Sequence, residues 1–345
     1  MAVITMACAG DVMINRPDAN SMLRHVAGIL KGADVAYCNL EGPMCDVGEK
    51  HPGKAGISLH LRSTPSVAHA LAGAGIDVVS LANNHGLDYG VAGLDQTLRL
   101  LDDVRIARAG AGRDLAAARR PALLEVNGVR IALLSYTSVC VAPFAATATT
   151  PGLAMVRIKT TYAANLRLFQ QPGSPMLTRT VGEPEDVAML LDDVKAAKSV
   201  ADVVILAWHW GVSERWGKLA DYQRELGRAV IDAGASAILG HHAHMLLGVE
   251  FYRGCPIVYS LGNFAFDLDH PYFRRESAIV VCDVSREGVT NVRMLPVLIN
   301  DQHEPVPVRA DGDGQKVAWF LEYLSEGLNT KFINRGEDVE LLAQA

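Results

Sequence analysis

Residues 76–90 read IDVVSLANNHGLDYG, and this stretch decides how the rest of the chain is read. Residues 78–81 form a short apolar run rich in β-branched side chains, the pattern of a buried strand. The run stops at Asn83, Asn84 and His85, and apolar residues at helical spacing begin at Val91. Strand, polar turn and helix in that order make the repeating unit of an α/β protein. In open α/β sheets, ligands bind just beyond the carboxyl ends of the strands.

The same order recurs along the chain. Apolar runs at 3–8, 35–39, 203–207, 237–239 and 257–260 are each followed by polar residues: Asp11, then Asn39 to Glu41, His209, His241 to His244, and Asn263. Further strands are expected at 129–135 and 278–284. Helices are expected at 66–74, 91–101, 184–199 and 219–233, with an amphipathic helix near 317–328 closing the tail. Polar groups delivered to one edge by so many separate turns describe a site.

The 345 residues suit one large α/β domain, 1–345, with half its residues apolar and a fifth charged. Residues 141–182 break the pattern: Thr, Pro and Gly dominate and periodicity is lost, so an insertion, either a surface loop or a substrate-covering lid, is expected there. The net charge of −6 gives no reason to expect a nucleic-acid partner. No apolar run reaches membrane-spanning length. The apolar run before Asp11 is short and has no basic segment ahead of it, and cleavage there would remove Asp11. A cytoplasmic protein without a membrane partner is therefore expected. The six cysteines are scattered, without CxxC spacing, as buried reduced thiols would be.

The chemistry rests on a few side chains. GHHAH, residues 240–244, sets His242 and His244 two apart after a strand, and His209 sits in LAWHWG; neutral imidazole is a common metal ligand. Asp11 and Glu41 follow apolar strands, where a carboxylate is costly unless a cation or hydrogen-bond donors meet it. Asn84 adds an amide beside His85, and Asp88, three residues on, can orient that imidazole.

Taken in order, GD at Asp11, NLEGP, LANNHGLDYG, HWG, GHHAH and SLGNF resemble the poly-γ-glutamate capsule-synthesis (CapA-type) family of the calcineurin-like metallophosphatase superfamily, over about residues 4–300. The resemblance implies a sandwich of two mixed sheets flanked by helices. It implies metal ligands at Asp11, Glu41, Asn84, His209, His242 and His244, with His241 the alternative if the turn is shifted by one. It gives His85 the role of acid or electrostatic stabiliser. Two departures matter: Met13 stands where two-metal phosphatases carry a histidine, and Glu41 replaces a bridging aspartate. One or two divalent ions are expected, Ca²⁺, Mg²⁺ or Mn²⁺, and no organic cofactor.

Relatives in ribosomal (lasso) peptide tailoring suggest a peptide substrate. The leading expectation is therefore a metal-dependent epimerase that inverts an α-carbon, with Asp11, His85, Asp88 and His244 catalytic, in the pairs His85–Asp88 and His244–Asp11. The alternatives are a metal-dependent phosphoesterase and a poly-γ-glutamate or capsule biosynthesis protein.

Overall fold

The computed structural model describes residues 2–54, 56, 59–213, 217–270 and 273–344. Two mixed β-sheets pack face to face, with helices on their outer faces. The first sheet runs Thr330–Asn334, Val339–Ala343, Gly288–Ile299, Glu276–Ser285, Val3–Met13, Val35–Leu40, Val78–Ser80 and Ala107–Ala109. Its last four strands are mutually parallel, whereas Glu276–Ser285 runs antiparallel to Val3–Met13. The second sheet runs Leu246–Tyr252, Cys255–Leu261, Ala237–His241, Val203–His209, Val129–Thr137 and Ala122–Val126.

Alternation along each strand explains the layering, because successive side chains leave opposite faces of a sheet. Ile4, Met6 and Cys8 point into the layer between the sheets, where they meet Ile131, Leu133, Ile205 and Leu239. Ala7 and Ala9 point the other way, into a core shared with helices Ala27–Gly32, Val67–Ala74 and Gly90–Asp103. Helices Pro184–Val200 and Asp221–Asp232 cover the outer face of the second sheet, over Leu134, Val204 and Leu206.

The strand starting at Val3 runs on to Met13, beyond the apolar run, so Asp11 lies inside a strand. Its pairing with Val35–Leu40 shifts register between Cys8 and Asp11, and such irregularities re-aim side chains. Gly10 makes the close approach possible: a Cβ there would lie 2.0 Å from the Gly262 carbonyl oxygen. The tail also departs from the sequence reading. Helix Gln315–Leu324 is followed by a hairpin, Thr330–Asn334 with Val339–Ala343, that extends the first sheet.

Residues 141–182 form two unlike parts. Phe144 and Leu153 are fully buried, and Leu153 pairs with Ala111. Ile158–Ala163 and Leu177–Gly182 form a separate two-stranded hairpin that is mostly exposed. The cysteines are all free, four of them buried and Cys140 and Cys255 half-buried. Among the described residues, no helix is long and apolar enough to cross a membrane.

Candidate metal centre

Register brings the polar strand ends together. Asp11 sits opposite Asn39 on one side and Asn263 on the other, and His209 lies opposite His241. Asp11, Glu41 and His209, all buried, each offer a ligand atom within 4.8 Å of the others.

The two carboxylates are treated differently. Asp11 Oδ1 accepts a hydrogen bond from Asn39 Nδ2 at 2.9 Å and lies 2.8 Å from His241 Nδ1. Burial alone would raise the Asp11 carboxyl, but the His241 and His244 imidazoles and Asn39 together bring it below its ordinary range. Glu41 is fully buried, and neither of its oxygens has a hydrogen-bond partner among the described residues. Burial, reinforced by the Asp11 and Asp88 charges, pushes its carboxyl well above the ordinary range. A buried carboxylate without partners costs several kcal/mol unless a cation compensates it.

Three imidazoles converge on that carboxylate. Glu41 Oε1 lies 3.7 Å from His244 Nε2, 3.8 Å from His209 Nε2 and 3.9 Å from His85 Nε2. Asn84 Oδ1 is 2.8 Å from His209 Nε2. Two atoms that share one octahedral ion at about 2.1 Å lie about 3 Å apart. Burial lowers His209 well below its ordinary range, and lowers His244 and His85 as well, which keeps lone pairs available for a metal. Asp11 Oδ2 and both Glu41 oxygens, without hydrogen-bond partners among the described residues, fit a divalent cation held among them.

The GHHAH turn distributes its rings in a way the sequence did not foretell. His241, at the strand end, is tied at both nitrogens, to Asp11 and to the Tyr37 hydroxyl at 2.7 Å. The expected His244–Asp11 pair is a long one: His244 Nδ1 is 4.0 Å from Asp11 Oδ2 and makes its short contact, 2.8 Å, with Asn263 Oδ1. His242 packs edge-on to the His209 ring at 5.0 Å, its Nδ1 without a partner among the described residues and its imidazole pushed down to about 3 by burial. The backbone accounts for the division, since His242 and His244 both adopt positive φ, 92° and 53°, which turns alternate rings away from the strand direction. Non-glycine residues in that region store strain that the surroundings must hold.

His85 has a second partner set. Its Nδ1 lies 2.6 Å from Asp88 Oδ2, and Lys54 Nζ approaches Asp88 Oδ1 at 2.5 Å, His85 Nδ1 at 3.1 Å and the Asn84 carbonyl at 3.1 Å. Sequence reasoning missed Lys54, which comes from a short turn after Pro52 with no periodic signal. It also gave no separate roles to Tyr37, Asn39 and Asn263. Their one signal is position, because Tyr37 and Asn39 are two apart along the strand that ends at Leu40, just before Glu41. Met13 packs against Leu61 and Phe266 in an apolar cluster.

Residues 5–268 match the family described as bacterial capsule synthesis protein PGA_cap. The chain belongs to this capsule synthesis family. It is 32% identical over 325 residues to the PGA biosynthesis protein CapA of Bacillus subtilis (strain 168), spanning 91% of this chain and 76% of that protein. It is 31% identical over 322 residues to the capsule biosynthesis protein CapA of Bacillus anthracis, spanning 91% and 72%. A probable polyglutamine synthesis accessory protein of Mycobacterium tuberculosis (strain ATCC 25618 / H37Rv) is 31% identical over 279 residues, spanning 77% and 66%. Among solved structures, a calcineurin-like phosphoesterase from Bacillus subtilis aligns at TM-score 0.41 and 14% identity, over 93% of this chain and 98% of that one.

The relatives overturn the isomerase reading. They are named for capsule biosynthesis or as polyglutamine synthesis accessory proteins, and none of those cited is named an epimerase. The reading drew its support from acid–base pairs, and of its two pairs only His85–Asp88 forms a short contact.

Proposed function

We propose that this capsule synthesis family member acts in making a poly-γ-glutamate-type polymer, through a metal-dependent phosphoesterase site. The observation that carries the reading is Glu41: a buried carboxylate without a hydrogen-bond partner among the described residues, ringed by three imidazole nitrogens at 3.7–3.9 Å. Asp11, Glu41, Asn84, His209 and His244 would hold one divalent cation, with His242 at its edge. When bound, the cation supplies Lewis acidity and positive charge toward a phosphoryl oxygen. Carboxylate and amide oxygens mixed with imidazoles favour Mn²⁺ over Ca²⁺.

Asp88 holds the His85 Nδ1 proton, which leaves Nε2 facing Glu41. From there it takes a proton from an attacking water or returns one to a leaving oxygen. Lys54 neutralises Asp88 and keeps that carboxylate in place.

The test is direct. Purified chain loaded with Mn²⁺ is assayed against p-nitrophenyl phosphate, bis(p-nitrophenyl) phosphate and γ-glutamyl oligomers. Metal-dependent release of p-nitrophenol, abolished in His85→Ala and His209→Ala, is expected. Mn²⁺ binding without release from either phosphoester would overturn the phosphoesterase part.

A further inference from the structure

The described residues contain fourteen large apolar side chains that are exposed, and six of them lie between positions 162 and 181: Tyr162, Leu166, Phe169, Met176, Leu177 and Val181. Leu166 and Phe169 are 80% and 84% exposed. Scattered exposed apolar residues are ordinary on a protein surface, but a concentration of them marks a contact surface.

The base of the hairpin is firmly held. Gly182 is buried, and a Cβ there would press on Val187 and Leu226. Tyr222 N donates to Thr180 Oγ1, and Arg157 is paired with Asp186 beside the first strand. Beyond that base both faces are open, and a lone two-stranded hairpin is at best marginally stable in water. Its far end, with the short 3-10 turn Leu166–Phe169, is therefore built to be covered.

Charge points to what covers it. Residues 158–182 carry Lys159, Arg167 and Arg179 and no acidic residue, a charge of +3 that leaves the remainder of this −6 chain at −9. Lys159 and Arg179 face Glu183 and Asp221, so Arg167, between Leu166 and Phe169, is the cation presented at the tip. Apolar side chains next to a cation suit the boundary between headgroups and acyl chains of an anionic bilayer. The acidic remainder is repelled by such a surface, so contact through the hairpin alone is favoured.

We infer that the hairpin of residues 158–182 is a docking prong for an anionic lipid surface, inserting Leu166 and Phe169 with Arg167 at the headgroups. The inference does not depend on the chemistry of the metal centre.

The experiment is co-flotation of the full chain with vesicles of phosphatidylcholine alone, or with about a third phosphatidylglycerol. Binding to the anionic vesicles only, weakened by salt, is expected. Leu166→Ser with Phe169→Ser should reduce it about tenfold or more, and Arg167→Glu should remove the preference for anionic vesicles. Circular dichroism and Tm should match the parent chain for all variants, which separates lost docking from lost folding. Equal binding to neutral vesicles, or binding untouched by the double substitution, would overturn the inference. So would a concentration-dependent dimer in sedimentation that the same substitutions abolish, because the patch would then belong to a second copy of the chain.

Discussion

The metal centre and the hairpin break the usual rule of inside and outside in opposite directions. In and beside the metal centre, Asp11, Glu41, Asp88 and Lys54 are buried ionisable groups, and Glu41 has no hydrogen-bond partner among the described residues. On the hairpin, Leu166 and Phe169 are apolar groups left in water. Each arrangement is unfavourable for the chain alone. Each becomes favourable once something of opposite character arrives, a cation in one case and an apolar surface in the other. Misplaced polarity, rather than any single residue type, thus marks where this fold expects company.

The sharpest way to break the comparison is inside the inserted segment itself. Phe144 is fully buried against His51, with Lys54 Nζ 5.8 Å from its ring, whereas Phe169 stands in solvent. Phe144→Ala should cost about 3–5 kcal/mol in urea unfolding. Phe169→Ala should stay within about 0.5 kcal/mol of the parent. Similar losses at both positions would mean that the hairpin belongs to the core.

A second substitution tests the buried ion pair. Lys54→Met keeps the length of the side chain but leaves Asp88 buried without its cation. A loss of about 3 kcal/mol is expected, because one partner of a buried pair is removed. Denaturation of Lys54→Met beside Lys54→Arg checks this, with partial recovery expected for arginine.

Glu41→Gln separates function from folding. Mn²⁺ affinity, measured by isothermal titration, should fall about 100-fold or more, since even residues that only orient metal ligands cost about 10–100-fold. In the presence of chelator the variant should be at least as stable as the parent, because an uncompensated buried carboxylate has been removed. A marked loss of metal-free stability would make Glu41 a structural group.

The smallest effect concerns acid. Asp267, despite partial burial that opposes it, is held below the ordinary carboxylate range by Arg16, and Asp186 likewise by Arg157. Their folded-state values are depressed, so their stabilisation is present above the unfolded value of about 4 and fades as pH falls through the folded values. Metal-free stability should therefore drop below about pH 4. In Asp267→Asn the drop between neutral pH and pH 3 should be shallower, as followed by urea midpoints.

Much of this could be read from the chain. The order of strand, polar turn and helix placed Asp11, Glu41, Asn84, His85, His209 and His244 at one edge, because a strand buried on both faces leaves polar residues room mainly at or beyond its carboxyl end. Other features were not legible. Lys54 sits in a turn without period, and a long side chain can reach a site from many backbone positions. The strands Thr330–Asn334 and Val339–Ala343 are short and mixed in character, and they become strands only because Gly288–Ile299 offers an edge to pair with.

The sequence by itself determined which residue types stand at the strand ends, and hence that their charges would be taken out of water together. Only the tertiary structure decided which ring meets which carboxylate. Positive φ at His242 and His244 and the close approach at Gly10 set those directions, giving Asp11 to His241 and leaving Glu41 to the other imidazoles. Such angles depend on neighbouring backbone that is distant in sequence, such as the Gly262 carbonyl against Gly10, so no local pattern encodes them.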